Sequence, residues 1–406
     1  MMDRRRFLRL ALGVAGASVT WRLWAVPAGG NGPRVVVVFL RGAYDALSVL
    51  VPYAESFYYE ARPNIALGRP DRSSGDAALP LDGRWALHPT LGDSLMPFWQ
   101  AGQVAFVPFS GTGFVSRSHF QAQDWMEFGQ APSDRPSAGS GFLNRLLGRL
   151  GTPAVAGSRA VSFTQTMPPI MRGGIQVANS PLTAPKGGRG VEANYESLLL
   201  NMYSGHPLEE MVRDGLGLRR EISRELAEEM QAASREALPA GSFALEAGRV
   251  GKLLSEHPNY SIAFADVGGW DTHAGQGGAQ GALANRLHGL GDGLKALSEG
   301  LGPEWGKTVV VVISEFGRTF RENGSRGTDH GHGSAIWVLG GAVRGGAIRG
   351  EQAGLKPGDL HEDRDVPVLN EYRGVLGGIF QKLYGLGRED LADIFPQASV
   401  VDLGLV

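Results

Sequence analysis

Arg34-Val35-Val36-Val37-Val38-Phe39-Leu40, running straight into Arg41-Gly42, is the stretch that decides the fold. Six apolar residues in a row, four of them β-branched, leave no polar face, so a strand built from them must be buried on both sides. Helices covering both faces of a parallel sheet provide that burial, and the glycine permits a tight exit from the strand. The pattern recurs. Val104 to Phe109 ends at Gly111 and leads into a helical pattern from Ser118 to Phe128. Ser261 to Ala265 and Thr308 to Ile313 follow the same grammar, and Trp337 to Leu339 is a shorter strand before Gly340-Gly341. Leu283, Leu287, Leu290, Leu294 and Leu297 stand at helical spacing, which predicts a helix over 283–301. Strand, loop, helix, strand is the order of an α/β chain with a doubly wound, largely parallel sheet flanked by helices. The stretch from about 204 to 256 breaks the pattern: it is charged, carries Ile222, Leu226 and Met230 four apart, and reads as a helical insertion on the surface.

Composition narrows the function. Cysteine is absent, which excludes disulfides, thiolate metal sites and a cysteine nucleophile. The 60 glycines are spread along the chain, as tight strand-to-helix loops require. No Lys/Arg-rich patch occurs, so no nucleic-acid partner is expected. The amino terminus reads Asp3-Arg4-Arg5-Arg6-Phe7-Leu8-Arg9, then a small apolar stretch from Leu10 to Val19 and an Ala-rich segment ending near Ala28. This segment resembles a twin-arginine signal, which addresses folded proteins to a translocase. Its apolar run is shorter than the ~20 residues a spanning helix needs, so no stable membrane span is expected after cleavage behind Ala25 or Ala28. The organisation read from this is a signal at 1–28 and one α/β domain over 29–406, located in the periplasm or outside the cell. Residues 1–28 hold five Arg and one Asp, so their removal takes the net charge from −2 to about −6.

In a parallel sheet, ligands bind beyond the carboxyl ends of the strands. Asp45 lies five residues past the first strand, and Ser116-Arg117-Ser118-His119 lies past the second, at a helix start. The run from Asp266 to His273, with Asp271 and His273, follows the third strand. Ser314-Glu315-Phe316-Gly317-Arg318 follows the fourth, and Asp329-His330-Gly331-His332 precedes the fifth. Singly these have plain structural readings: a turn or cap for an aspartate, an N-cap for Ser118. The last cluster is the sharpest, with three metal-capable side chains within four residues. Imidazole with carboxylate suits zinc, manganese or iron, and carboxylate-rich sites suit magnesium or calcium. Three of the nine histidines fall in these last groups, and the others, His88 and His361 among them, read as caps or surface residues.

The order of these clusters resembles the alkaline phosphatase-like superfamily of alkaline phosphatases, sulfatases and cofactor-independent phosphoglycerate mutases. More closely, Val36 to Gly42, Ser116-Arg117-Ser118-His119-Phe120, Gly268 to His273, Ser314 to Thr319 and Gly327 to Gly333 resemble a twin-arginine-exported family labelled domain of unknown function 1501. These stretches span nearly the whole length. The resemblance implies a hydrolase of small anionic phosphate or sulfate esters holding one or two divalent ions: zinc, manganese, magnesium or calcium. Asp45, Asp271, His273, Asp329, His330 and His332 would be ligands, with Glu315 in reserve. Ser118, or in its place Ser116, would attack in line to give a seryl ester that water hydrolyses. Arg117 and Arg318 would clamp the anionic oxygens. One departure leaves two alignments open, because Glu315-Phe316 stands where the superfamily's late Asp-His pair normally follows its strand. Either Glu315 replaces that aspartate and Phe316 deletes a histidine, or Asp329-His330 supplies the pair and His332 completes it. A non-catalytic relative serving as a binding or assembly protein is the competing expectation. Formylglycine sulfatases are disfavoured, since there is no Cys and no Ser-x-Pro-x-Arg. Gly306-Lys307-Thr308 precedes its strand, whereas a phosphate loop follows one.

Overall fold

The valine run forms β1 (Arg34–Leu40), buried at every residue and paired in parallel on both sides. A computed structural model describes residues 32–131, 139–151, 159–182, 202–206, 209–210, 213 and 233–406. The expected signal at 1–28, and most of 204–232, lie outside the described residues. After β1 come β2 (Val104–Gly111), α1 (His119–Phe128), α2 (Phe142–Arg149), β3 (Ala160–Ser162) and α3 (Ala240–Glu256). They are followed by β4 (Ile262–Gly268), α4 (Ala282–Leu301), β5 (Thr308–Ile313), β6 (Ser334–Leu339) and α5 (Tyr372–Tyr384). These strands lie in the order β2-β6-β5-β1-β4-β3, and short strands extend the sheet at both ends.

Successive residues of a strand face opposite sides, and β1 shows the result. Val36, Val38 and Leu40 enter one core with Phe243, Leu254, Leu287 and Leu294 from α3 and α4. Val35, Val37 and Phe39 enter another with Leu143, Leu146, Leu376 and Phe380 from α2 and α5. Each such side chain, fully buried, stabilises the fold by roughly 1.5–3 kcal/mol. The sheet is therefore doubly wound and largely parallel, as its sequence implies. Among the described residues no helix is long and apolar enough to cross a membrane.

Two departures have local causes. β6 runs antiparallel to both β5 and β2. A parallel return needs a crossover, usually a helix; the glycine-rich segment 314–333 contains none, so the chain re-enters the sheet reversed. The second concerns 204–256, whose surface reading does not extend to α3. That helix packs on α4 through Phe243, Ala247 and Leu254. Glycine lets the two backbones approach, since a Cβ on Gly251 would lie 2.5 Å from the Leu297 carbonyl oxygen.

Candidate metal centre

Loops leaving β1, β4 and β5, the start of α1 and the loop entering β6 meet at one end of the sheet. Reversal of β6 is what brings its starting loop to the carboxyl ends of the parallel strands. Three imidazoles and a carboxylate converge there. His330 Nε2 lies 2.9 Å from His119 Nε2 and 2.9 Å from His273 Nε2. Asp271 Oδ1 is 2.9 Å from His273 Nε2 and 3.2 Å from His330 Nε2, and its Oδ2 is 3.4 Å from His119 Nε2. His119, Asp271 and His330 offer ligand atoms all within 4.8 Å of one another.

The far side of each ring is already engaged. His119 Nδ1 donates to Glu315 Oε1 at 2.8 Å, His273 Nδ1 to Asp329 Oδ1 at 3.2 Å, and His330 Nδ1 to the Arg117 carbonyl at 2.7 Å. With a proton held on Nδ1 by an oxygen acceptor, Nε2 is the nitrogen that faces the group and can yield any proton it carries to an incoming cation, the arrangement by which proteins orient metal-binding histidines. Three lone pairs facing each other at this spacing repel unless a cation or shared protons lie among them. The donor set thus fits a metal ion.

Charge follows the same pattern. Burial alone would raise Asp271, but its bonds to His119, His273 and His330, with the Arg318 charge, hold it far below the carboxylate range. Burial likewise opposes charging His119, yet Asp271 and Glu315 prevail and lift it to about 9. Glu315, despite burial, is held at about 2 by His119 and Gln123.

Arg318 locks the loops together. It is fully buried, pairs with Asp271, and donates to the carbonyls of Gly42 at 2.7 Å, Ala43 at 2.5 Å and Thr328 at 3.0 Å. Gly42 has φ +110°, and a Cβ there would meet the Asp271 backbone nitrogen at 2.9 Å. Gly331 lies against the Arg318 carbonyl with no room for a side chain.

The residues singled out from sequence divide accordingly. Asp271, His273 and His330 reach the group, while Glu315 and Asp329 stand behind His119 and His273 as hydrogen-bond acceptors. Asp45 does not arrive: Arg62 grips its oxygens at 2.5 and 3.1 Å, and Ser48 and Gln276 each bond it at 2.7 Å. Although burial opposes ionisation, Arg62 holds that carboxyl below its ordinary value. His332 packs instead against His361, ring centres 4.8 Å apart, and burial together with that neighbour lowers it to about 4. The alignment that needs His332 therefore does not describe the group; in the other, Glu315 stands behind His119 and Phe316 lies against its ring. Arg318 has spent its donors on the loops and is a strut, not an anion clamp. Arg117 is half exposed, pairs with Glu362 at 3.3 Å and lends its carbonyl to His330. Ser116 bonds Gln121 and accepts the Ser118 amide, bracing the turn. Ser118 caps α1 but makes no side-chain capping bond. It lies between Arg117, whose carbonyl holds His330, and His119.

His119 is the residue sequence reasoning passed over. A signal was present: His119, Gln123 and Glu127 stand at i, i+4 and i+8, a polar stripe on a helix whose neighbouring positions Ala122 and Met126 are core. His88 is, as read, a cap, its Nδ1 accepting the Thr90 amide. Phe316 is buried and stacks on His119 with ring centres 4.9 Å apart, closing that side with hydrocarbon.

No curated protein matches the sequence. Among solved structures, the chain is similar to the lipoteichoic acid synthase LtaP from Listeria monocytogenes, at 10% identity and a TM-score of 0.42, covering 93% of this chain and 76% of that one. It is also similar to a protein in the alkaline phosphatase superfamily from Vibrio parahaemolyticus, at 11% identity and a TM-score of 0.36, covering 84% and 69%. The family described as "Protein of unknown function (DUF1501)" matches residues 32–395, and the chain belongs to that family.

Proposed function

We propose that this protein is an exported, metal-dependent hydrolase of phosphate or sulfate esters that works through a seryl intermediate. The convergence of His119, His273 and His330 on Asp271, each ring anchored from behind, is the observation that carries the reading. Three nitrogens to one carboxylate favour zinc, or another imidazole-seeking transition ion, over magnesium or calcium, which take oxygen ligands. When bound, such an ion supplies positive charge that stabilises the anionic oxygens of an ester and its leaving group.

The chain's own residues do the rest. Ser118, the residue before His119 in the chain and with a hydroxyl not spent on capping its helix, is the nucleophile in this reading. Its Oγ forms a bond to phosphorus or sulfur as the ester oxygen departs and is protonated to the alcohol; water then cleaves the seryl ester and restores the hydroxyl. His273 and His330 keep some exposure while His119 and Asp271 are buried, so a small anion would approach from their side. Export by the twin-arginine translocase to the periplasm or beyond is part of the same proposal and rests on residues 3–9.

Phe316 supports a second reading, a non-catalytic binding protein, because its ring takes up space beside His119 and His330. Metal analysis of the purified chain, with a panel of phosphomonoesters, phosphodiesters and sulfate esters in zinc or manganese, separates the two. Bound metal with turnover, and a Ser118→Ala variant that keeps the metal but loses turnover, is the expected result. Retained turnover in that variant removes Ser118 from its role; a metal-free, inactive protein selects the second reading.

A further inference from the structure

His119, Gln123 and Glu127 form one buried stripe along α1, though none of them is apolar. Buried polar groups persist where hydrogen bonds replace water, and Gln123 is a clear case. Its side-chain oxygen accepts from Arg41 Nη1 at 3.0 Å. Its amide nitrogen donates to the Ala233 carbonyl at 2.8 Å and to Glu315 Oε1 at 2.9 Å. A guanidinium has no acceptor, so the oxygen of Gln123 must face Arg41 and its NH2 must face Glu315. Arg41 is itself fixed, with Glu127 Oε1 at 2.8 Å on Nη1 and Asp266 Oδ2 at 2.6 Å on Nε. The amide therefore has one orientation.

At Glu315 Oε1 three groups meet: Gln123 Nε2, the Gly42 amide at 2.9 Å and His119 Nδ1 at 2.8 Å. The oxygen is held as a pure acceptor. A bare Nδ1 would set lone pair against lone pair, so the proton of His119 belongs on Nδ1 and Nε2 is left to face Asp271 and His330.

We infer that Gln123, braced by Arg41, is a positioning residue that keeps a proton on His119 Nδ1 and thereby leaves Nε2 as the nitrogen offered to the three-histidine group. The geometry stands by itself; its purpose rests on the metal-centre reading. Were Gln123 only a stitch between α1 and the sheet, changing it would lower stability and leave the His119 proton in place.

The test uses the full chain labelled with 15N-histidine and stripped of metal. In the native protein the His119 Nδ1 proton, bonded to a buried carboxylate, is expected as a downfield resonance protected from exchange, assigned by its loss in His119→Gln. In Gln123→Met that resonance is expected to vanish into exchange, and zinc Kd to rise about 10- to 100-fold. Should that variant not fold, Gln123→Ser, whose gap admits water, is read the same way. A folded variant with the Nδ1 resonance intact and zinc Kd unchanged overturns the inference alone. Native protein that shows the resonance but takes up no zinc overturns the metal reading and leaves the inference standing.

Discussion

Adding zinc to metal-free protein should raise its melting temperature by an amount that can be worked out. An ion that binds only the folded state contributes RT ln(1 + [L]/Kd), about 2.7 kcal/mol at a hundredfold excess over Kd. Melting entropy is ~2.1 cal/mol/K per residue, so a chain of 406 residues gives about 0.85 kcal/mol/K and a shift near 3 °C. Now remove one donor. His330 touches His119, His273 and Asp271 through a single nitrogen, so His330→Ala takes away the member common to all three contacts. If affinity falls about a hundredfold, the same zinc concentration gives ~0.4 kcal/mol, a shift under about 1 °C. His288, exposed and paired with Asp292 on its own helix, provides the control: His288→Ala should keep the full shift. Differential scanning fluorimetry on chelator-treated protein, with zinc titrated across two decades, reads all three. Equal shifts in native protein and His330→Ala would mean that zinc binds elsewhere, and the centre as described would be refuted.

Three further outcomes are expected. Asp45→Asn leaves the wholly buried Arg62 without a counterion and should destabilise by about 3 kcal/mol in urea unfolding, yet leave zinc stoichiometry unchanged; a lost ion would return Asp45 to the ligand set. Arg318→Met strips Asp271 of its fixed partner and should lower metal-free stability by ~3–5 kcal/mol, less with zinc present, because the ion then neutralises the carboxylate; an identical loss in both states contradicts that coupling. His88 is held near 4 by burial, against 6.5 for the free side chain, so the unfolded chain takes up a proton first as pH falls. This group should therefore contribute a decline in stability through the window from 6.5 to 4, of ~3 kcal/mol, and His88→Asn, which keeps a capping oxygen, should remove that share while leaving the similar one from His332, in urea midpoints measured at each pH.

The fold was legible because burial on both faces writes itself into composition: Val35 to Leu40 can be nothing but an interior strand. Reversal of β6 was less so, since the clue is a missing helix in 314–333 and not a residue that is present. At the site, Asp271, His273 and His330 were readable as a carboxylate and imidazoles on loops at strand ends. His119 was not, because it follows Ser118, whose hydroxyl and capping position drew the functional reading, and because a lone histidine at a helix start has a bland explanation. Asp45 and His332 misled for the complementary reason. Their residue types suit metals, but their partners, Arg62 and His361, are remote in sequence, and only tertiary structure brings such neighbours together.

The backward course of β6 has a consequence for assembly. His119, Asp271 and His330 come from three well-separated parts of the polypeptide, and the last is delivered by the final long pass through the sheet. A chain still emerging from the ribosome short of residue 330 owns no complete grip on a cation. Loading would then certify that the topology is finished, and under the export proposed above the ion would leave with its bearer, chosen from whatever pool the cell interior supplied.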